Sequence, residues 1–252
     1  MLSFAEKIKN LQIGESKFSF LTRGGMLTKW ERQGKAIIPT FHRKKGSTSW
    51  RGGIPVCFPF FNASPSGMED IPQHGWLRQE EMVGRITRQT DSEIEVVFEK
   101  KNKPRVSYPW LLDYSLTYYL SERELKMTFT VRRLADGIKN PAPINPAFHP
   151  YFAVDKKYPV VLGGQRPSFG EEFYYLPIPS KKSPAVLVDT VAGKVQMTTA
   201  GFQVFCLWTD NPEKYICLEP VVQEHQKFNT KEGVFLSEGK KKSVEMVLTI
   251  IN

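Results

Sequence analysis

Between Glu124 and Arg133 the side chains alternate without a break. Leu125, Met127, Phe129 and Val131 share one face, and Glu124, Lys126, Thr128 and Thr130 share the other. Successive strand residues point to opposite sides, so this stretch predicts a strand with one face in a core and one in water. Tyr114–Leu120 is its expected hairpin partner, across Ser121-Glu122-Arg123. The same period recurs along the chain. Lys17–Leu21 and Met26–Arg32 flank turn chemistry at Arg23-Gly24-Gly25, and Ala36–Pro39 adds another short strand. Ile94, Val96 and Phe98 alternate with Glu93, Glu95 and Glu99. Gly201–Trp208 and Lys214–Leu218 are joined at the turn sequence Thr209-Asp210-Asn211-Pro212, and Val244, Met246, Leu248 and Ile250 alternate within Ser243–Ile251. The exception is the start, where Phe4, Ile8 and Leu11 fall at helical spacing and predict a short amphipathic helix. Strands at short intervals with few helices predict an all-β fold, a large antiparallel sandwich. No internal repeat, linker or shift in composition divides the chain, so residues 1–252 read as a single domain.

Composition narrows the class. With 40% hydrophobic and 24% charged residues the chain is of globular rather than disordered type. It has no apolar run long enough to span a membrane, and lysines and a glutamate stand where a secretory signal would need an apolar core. A cytoplasmic location is expected. The formal charge of +9 favours anionic partners. The basic residues are dispersed in small clusters, Arg43-Lys44-Lys45, Lys100-Lys101, Lys181-Lys182 and Lys240-Lys241-Lys242, which read as solvated loop tips. With no RNP motif, recognition helix or zinc finger, nucleic acid is not an expected partner. Cys57, Cys206 and Cys217 form no CxxC pair and sit among apolar neighbours, so they read as buried reduced thiols. The four histidines show no metal-binding spacing, and no metal is expected.

Trp50–Arg78, rich in proline and glycine and studded with polar groups, is a turn-rich segment between regions that read as ordinary strands. A loop of that length inside a compact domain usually carries function. Arg51 precedes Gly52-Gly53, where backbone can approach a ligand closely. His74 and Arg78, four apart, would face one side of an extended segment. Arginine forks at Arg51 and Arg78 suit phosphate or vicinal hydroxyls, although a surface arginine is the ordinary alternative for either. His149 lies among prolines and aromatics in Pro146–Phe152, where a histidine packed at a strand end is the plainer reading. Glu219 ends the apolar run Tyr215–Leu218; a carboxylate seldom sits there without a partner, so it is either a surface tip or a pocket group.

The four pieces RGGIPVCFPFF, PQHGWLR, FHPYF and ICLEP, in that order, resemble the aldose 1-epimerase (mutarotase) superfamily, and most of all its hexose-6-phosphate 1-epimerase branch. The likeness runs from about Arg51 to the C-terminal region, where Phe228–Gly233 is also similar. It implies a large antiparallel β-supersandwich and a cofactor-free enzyme that interconverts the α and β anomers of a sugar. Carried over by motif, His149 corresponds to the general acid and Glu219 to the general base. Arg51, Gln73 and Arg78 correspond to substrate and phosphate contacts, and His74 to a pocket histidine that holds the sugar. A base takes the C1 hydroxyl proton and an acid protonates the ring oxygen; the roles reverse on closure. On this reading Glu219 starts ionised and His149 protonated, as opposite charges across a small pocket would favour.

The chain departs from the pattern at Val221, where relatives often carry glycine or tryptophan, and at Trp76-Leu77, where Phe-Ala is common. The acidic residue that binds sugar hydroxyls in relatives has no clear counterpart; Glu171, Glu172 and Asp189 are the candidates. The implied partner is a small sugar or sugar phosphate, handled by a monomer or weak dimer. An unphosphorylated sugar, or a binding module without chemistry, are the alternatives, and the presence of both His149 and Glu219 argues against the second.

Overall fold

The structure is a computed structural model that describes residues 8, 10–43, 50–156, 159–179, 186–229 and 232–251. Strands hold 54% of it and helices 3%, in large antiparallel sheets. The largest among the described residues has eight strands, in the spatial order Val160–Val161, Val186–Thr190, Gly193–Ala200, Lys241–Ile251, Glu124–Arg133, Leu112–Ser121, Glu93–Lys101 and Val83–Gln89. Leu116 lies opposite Phe129 and Tyr118 opposite Met127, and Leu125 pairs in turn with Leu248, so the alternation read from sequence lines up across strands. Every second residue of Glu124–Arg133 from Leu125 onward is buried. Strand Lys241–Ile251 sits between Glu124–Arg133 and Gly193–Ala200 and joins the halves of the sheet.

A six-stranded sheet runs Tyr174–Pro177, Val204–Trp208, Tyr215–Val221, Ala147–Phe148 and Val56–Cys57, with Tyr151–Ala153 also paired to Tyr215–Val221. A four-stranded sheet, Leu11–Ile13, Ser16–Leu21, Met26–Arg32 and Lys35–Ile38, completes the framework. Side chains from all three meet in one core cluster that includes Phe20, Phe58, Phe98, Tyr118, Phe129, Phe148 and Leu218. Phe58 links the proline-rich segment to the large sheet, with its ring 5.1 Å from that of Phe129 and 5.4 Å from that of Tyr114. Aromatic pairs of this kind add about 0.5–1.5 kcal/mol each beyond their buried area.

The expected opening helix is not what Leu11 joins. Leu11 is the first residue of strand Leu11–Ile13, paired with Phe18, and residues 1–7 lie outside the described part. The pairing supplies the backbone hydrogen bonds that a single helical turn would otherwise have to provide. Of the basic clusters, Lys44-Lys45 and Lys181-Lys182 fall outside the described residues. Lys100-Lys101 and Lys241-Lys242 stand at strand ends rather than at loop tips. Of Phe228–Gly233, Phe228 and Asn229 close the 3₁₀ turn His225–Asn229 and Glu232 and Gly233 are described, while residues 230–231 lie outside.

Candidate active site

All seven residues of strand Tyr215–Val221 are buried, and period two decides what each faces. Ile216 and Leu218 enter the main core. Cys217 and Glu219 point the other way: Cys217 packs with Tyr151, Tyr215 and Trp208, and Glu219 reaches a cavity of about 840 Å³. That volume lies in the usual range for small-molecule sites. Strand register then brings in His149. Ala147 pairs with Cys57 and Val221, and Tyr151 with Cys217. The His149 amide donates to Pro55 O at 2.9 Å and the Tyr151 amide to Gly53 O at 3.1 Å. Gly53, at φ +70°, lies against strand Met26–Arg32, where a Cβ would be 2.6 Å from Leu27 O. The imidazole stacks on Tyr151 with ring centroids 4.9 Å apart and 6° between planes.

The result is a facing pair, with His149 Nε2 3.4 Å from Glu219 Oε2. Their side chains are 8% and 2% exposed. His149 Nδ1 and Glu219 Oε2 are buried with no hydrogen-bond partner in the protein, a costly arrangement. Burial pushes the Glu219 carboxyl well above the usual carboxylate range. It also pulls the His149 imidazole well below its ordinary value, with smaller contributions from His74 and from the charges on Arg78 and Arg51. Burial thus acts on both groups in the direction of their neutral forms, against the ionised pair anticipated from the sequence.

Arg51, Gln73, His74 and Arg78 also line the cavity, so the six residues singled out in the sequence converge on it. The route differs from the expected extended segment. His74 (φ +65°) and Gly75 (φ +72°) form a left-handed turn that leads into the 3₁₀ turn Leu77–Gln79. An alanine Cβ at Gly75 would lie 2.0 Å from Phe58 O, so only glycine lets the two segments touch here. The His74 Nδ1 accepts the Asn62 amide at 3.2 Å, which places the ring proton on Nε2, available to the cavity. Burial, then Arg78 and Arg51, lower the pKa of His74 to about 3, so it is a neutral donor.

Arg51 is committed elsewhere. Its Nη2 donates to Asp210 Oδ2 at 2.7 Å and its Nε to Oδ2 at 3.2 Å, to Oδ1 at 3.3 Å and to Tyr215 Oη at 3.1 Å. Nη1 donates to Trp50 O at 2.9 Å, and the guanidinium lies 5.0 Å from the Trp208 ring centre. Tyr215 Oη also bonds Asp210. Arg78 by contrast gives one hydrogen bond to Gln73 O at 2.9 Å. Sequence reasoning missed Asp210, read there as part of a turn, and the cavity residues Arg23, Tyr151, Trp208 and Phe173. An aromatic run around a histidine was the available signal for Tyr151; for Asp210 there was none. Glu171 and Glu172 are exposed, Asp189 pairs with Lys156 at 3.7 Å, and none of the three lines the cavity.

Among the described residues His149, Cys217 and Glu219 form the one trio of metal-ligand type, with ligand atoms within 4.8 Å of one another. That is a looser grouping than the about 3.5 Å edges of a tetrahedral site with 2.0–2.3 Å bonds. No described helix is long and apolar enough to cross a membrane.

The fold has known counterparts. A protein of Synechocystis sp. PCC 6803 superposes with TM-score 0.73 at 19% identity, covering 99% of this chain and 98% of that one. A galactose mutarotase-like protein of Clostridium acetobutylicum does so with TM-score 0.73 at 15% identity, covering 96% and 94%. The architecture is thus that of the galactose mutarotase-like proteins. Residues 9–167 match the aldose 1-epimerase family model, and the chain belongs to that family. A protein of Escherichia coli (strain K12), provisionally named a glucose-6-phosphate 1-epimerase, is 25% identical over 103 residues, 40% of this chain. The match spans 34% of that relative's length.

Proposed function

We propose that the protein is a cofactor-free hexose mutarotase that opens and recloses an aldohexose 6-phosphate at C1, with His149 and Glu219 as its acid–base pair. The observation that carries this is the buried His149–Glu219 contact at 3.4 Å, between two residues that both line the cavity. Moving one proton from Glu219 to His149 turns the neutral pair into imidazolium and carboxylate without changing the number of protons held. Sugar hydroxyls bonded to the two groups favour that ionised form. The carboxylate then takes the C1 hydroxyl proton while the imidazolium protonates the ring oxygen. The C1–O5 bond breaks to give the aldehyde, which rotates about C1–C2. On closure imidazole takes back the O5 proton, and Glu219 returns its proton to O1 on the new face. His74, as a neutral Nε2–H donor, orients a sugar oxygen.

The phosphate rests on less: the named activity of the Escherichia coli relative and a basic cavity. The specific point on the other side is Arg51, whose charge is already paired with Asp210. Anomer exchange followed by NMR magnetisation transfer on glucose 6-phosphate and glucose, with and without protein, separates the readings. Acceleration for the phosphorylated sugar alone is expected. Equal acceleration of both would move the substrate to unphosphorylated aldoses, and no acceleration of either by folded protein would end the catalytic reading.

A further inference from the structure

Arg23 lies outside every motif on which the family likeness rests, yet it lines the cavity beside Arg78. The turn that carries it is bound to the Arg78 segment along its length. The Gly24 amide donates to Glu80 O at 2.7 Å, the Met82 amide donates to Thr22 O at 3.1 Å, and Arg23 bridges Glu81. Gly24, at φ +70°, sits so close that a Cβ there would be 2.9 Å from Arg78 Cα. Glycine is what allows one backbone to lie on the other, and the two arginines then issue from adjacent strands of chain into one cavity.

Neither has an acidic partner among the described residues: Arg78 meets only a carbonyl, and Arg23 has no hydrogen bond or ion pair. The contrast with Arg51 is informative, because that guanidinium carries a carboxylate with it. Two adjacent like charges without an internal counter-ion raise the free energy of the empty site. An anion with oxygens on several sides relieves this, and planar arginine forks suit phosphate above other common anions.

We infer that Arg23 joins Arg78 in the phosphate subsite of this cavity, while Arg51 is held in place by Asp210. The inference rests on the reading of the ligand as a sugar phosphate and adds Arg23 as a residue that sets specificity. The positive field of the cavity is visible in the histidines: after burial, Arg78 and Arg51 are both among the causes that lower the pKa of His74 and of His149. A phosphate here would cancel part of that charge and make protonation of His149 easier, coupling recognition of the anion to readiness of the acid.

The test uses the full chain and inorganic phosphate as the probe, titrated calorimetrically at low chloride into wild type, Arg23→Gln, Arg23→Lys, Arg78→Gln and Arg51→Gln. Loss of one charge-assisted contact weakens binding about 10- to 100-fold. That loss is expected in Arg23→Gln and Arg78→Gln, with Arg23→Lys in between because the charge stays and the fork goes. Arg51→Gln should lower the melting temperature more than the affinity. Wild-type affinity in Arg23→Gln, or no phosphate binding by wild type at millimolar concentration, overturns the inference. Turnover run in parallel keeps the two readings apart. Arg23-dependent phosphate binding without anomer exchange would remove the mutarotase reading and leave the subsite. Exchange of glucose 6-phosphate with an unchanged KM in Arg23→Gln would do the reverse.

Discussion

Asp210→Ala isolates what holds Arg51. The pair is bidentate, with Nη2–Oδ2 at 2.7 Å, and its side chains are 16% and 7% exposed. Removing one partner of a buried pair costs about 3–5 kcal/mol, chiefly because the remaining charge is left without compensation. The residual exposure of Arg51 lets water recover some of this, which places the expectation near ~3 kcal/mol. For a chain of this size each kcal/mol moves the melting temperature by about 2–4 °C, so a fall of roughly 6–12 °C follows. Tyr215 loses an acceptor in the same step and adds to the loss. The assay is thermal and urea denaturation followed by far-UV circular dichroism, with the urea slope checked for constancy. The Arg132–Asp113 pair is a control of the same chemistry, at 2.6 Å with side chains 56% and 35% exposed. Asp113→Ala should scarcely move the midpoint, because water and salt already screen that pair. A double replacement, Arg51→Met with Asp210→Leu, should recover most of the stability. Equal shifts in Asp210→Ala and Asp113→Ala would refute the argument, since burial and the Tyr215 contact both set the first pair apart from the second.

His149→Ala and Glu219→Gln should each slow anomer exchange by about 10²–10⁴-fold while leaving the near-UV spectrum intact; a wild-type rate in either dismisses the acid–base pair. Gly75→Ala meets Phe58 O at 2.0 Å and a left-handed backbone that alone costs about 1–2 kcal/mol, so a melting temperature within a couple of degrees of wild type would contradict the packing described. His74, with its pKa lowered from 6.5 to about 3, costs stability as pH falls through that window, because the unfolded chain takes up a proton that the folded one refuses. His74→Gln should therefore flatten the drop in urea midpoint between pH 7 and pH 4, and an unchanged slope would show that His74 is protonated in the fold.

Most of the sheet was legible because a strand with one wet face must alternate. Glu124–Arg133 and its hairpin partner could be delimited almost to the residue, and the pairing of Leu125 with Leu248 follows once both faces are known. The cavity was legible in part. Glu219 stood out as a carboxylate in an apolar run, and the even spacing of His74 and Arg78 picked two residues that do line the cavity, though by a left-handed turn and not an extended segment. Arg51–Asp210 was out of reach: the partners are 159 positions apart, and their meeting depends on register among strands that no local pattern encodes. Arg23 was hidden for the opposite reason, since beside two glycines it reads as turn punctuation. Sequence shows which charges meet but not how little water reaches them, so the push of burial on both members of the pair toward their neutral forms could not be read from it.

Strand Lys241–Ile251 fills the gap between Glu124–Arg133 and Gly193–Ala200, which has a consequence for how the molecule is made. Residues 134–240 must leave the ribosome before that strand does, and at about 5–20 residues per second this takes on the order of ten seconds. Throughout that interval Glu124–Arg133 offers an unpaired edge lined with Leu125, Met127, Phe129 and Val131, a template for association with other nascent chains. The fold thus depends on its last-synthesised strand arriving before a neighbour does, and chaperone demand during synthesis should be set by that wait rather than by the stability of the finished sheet.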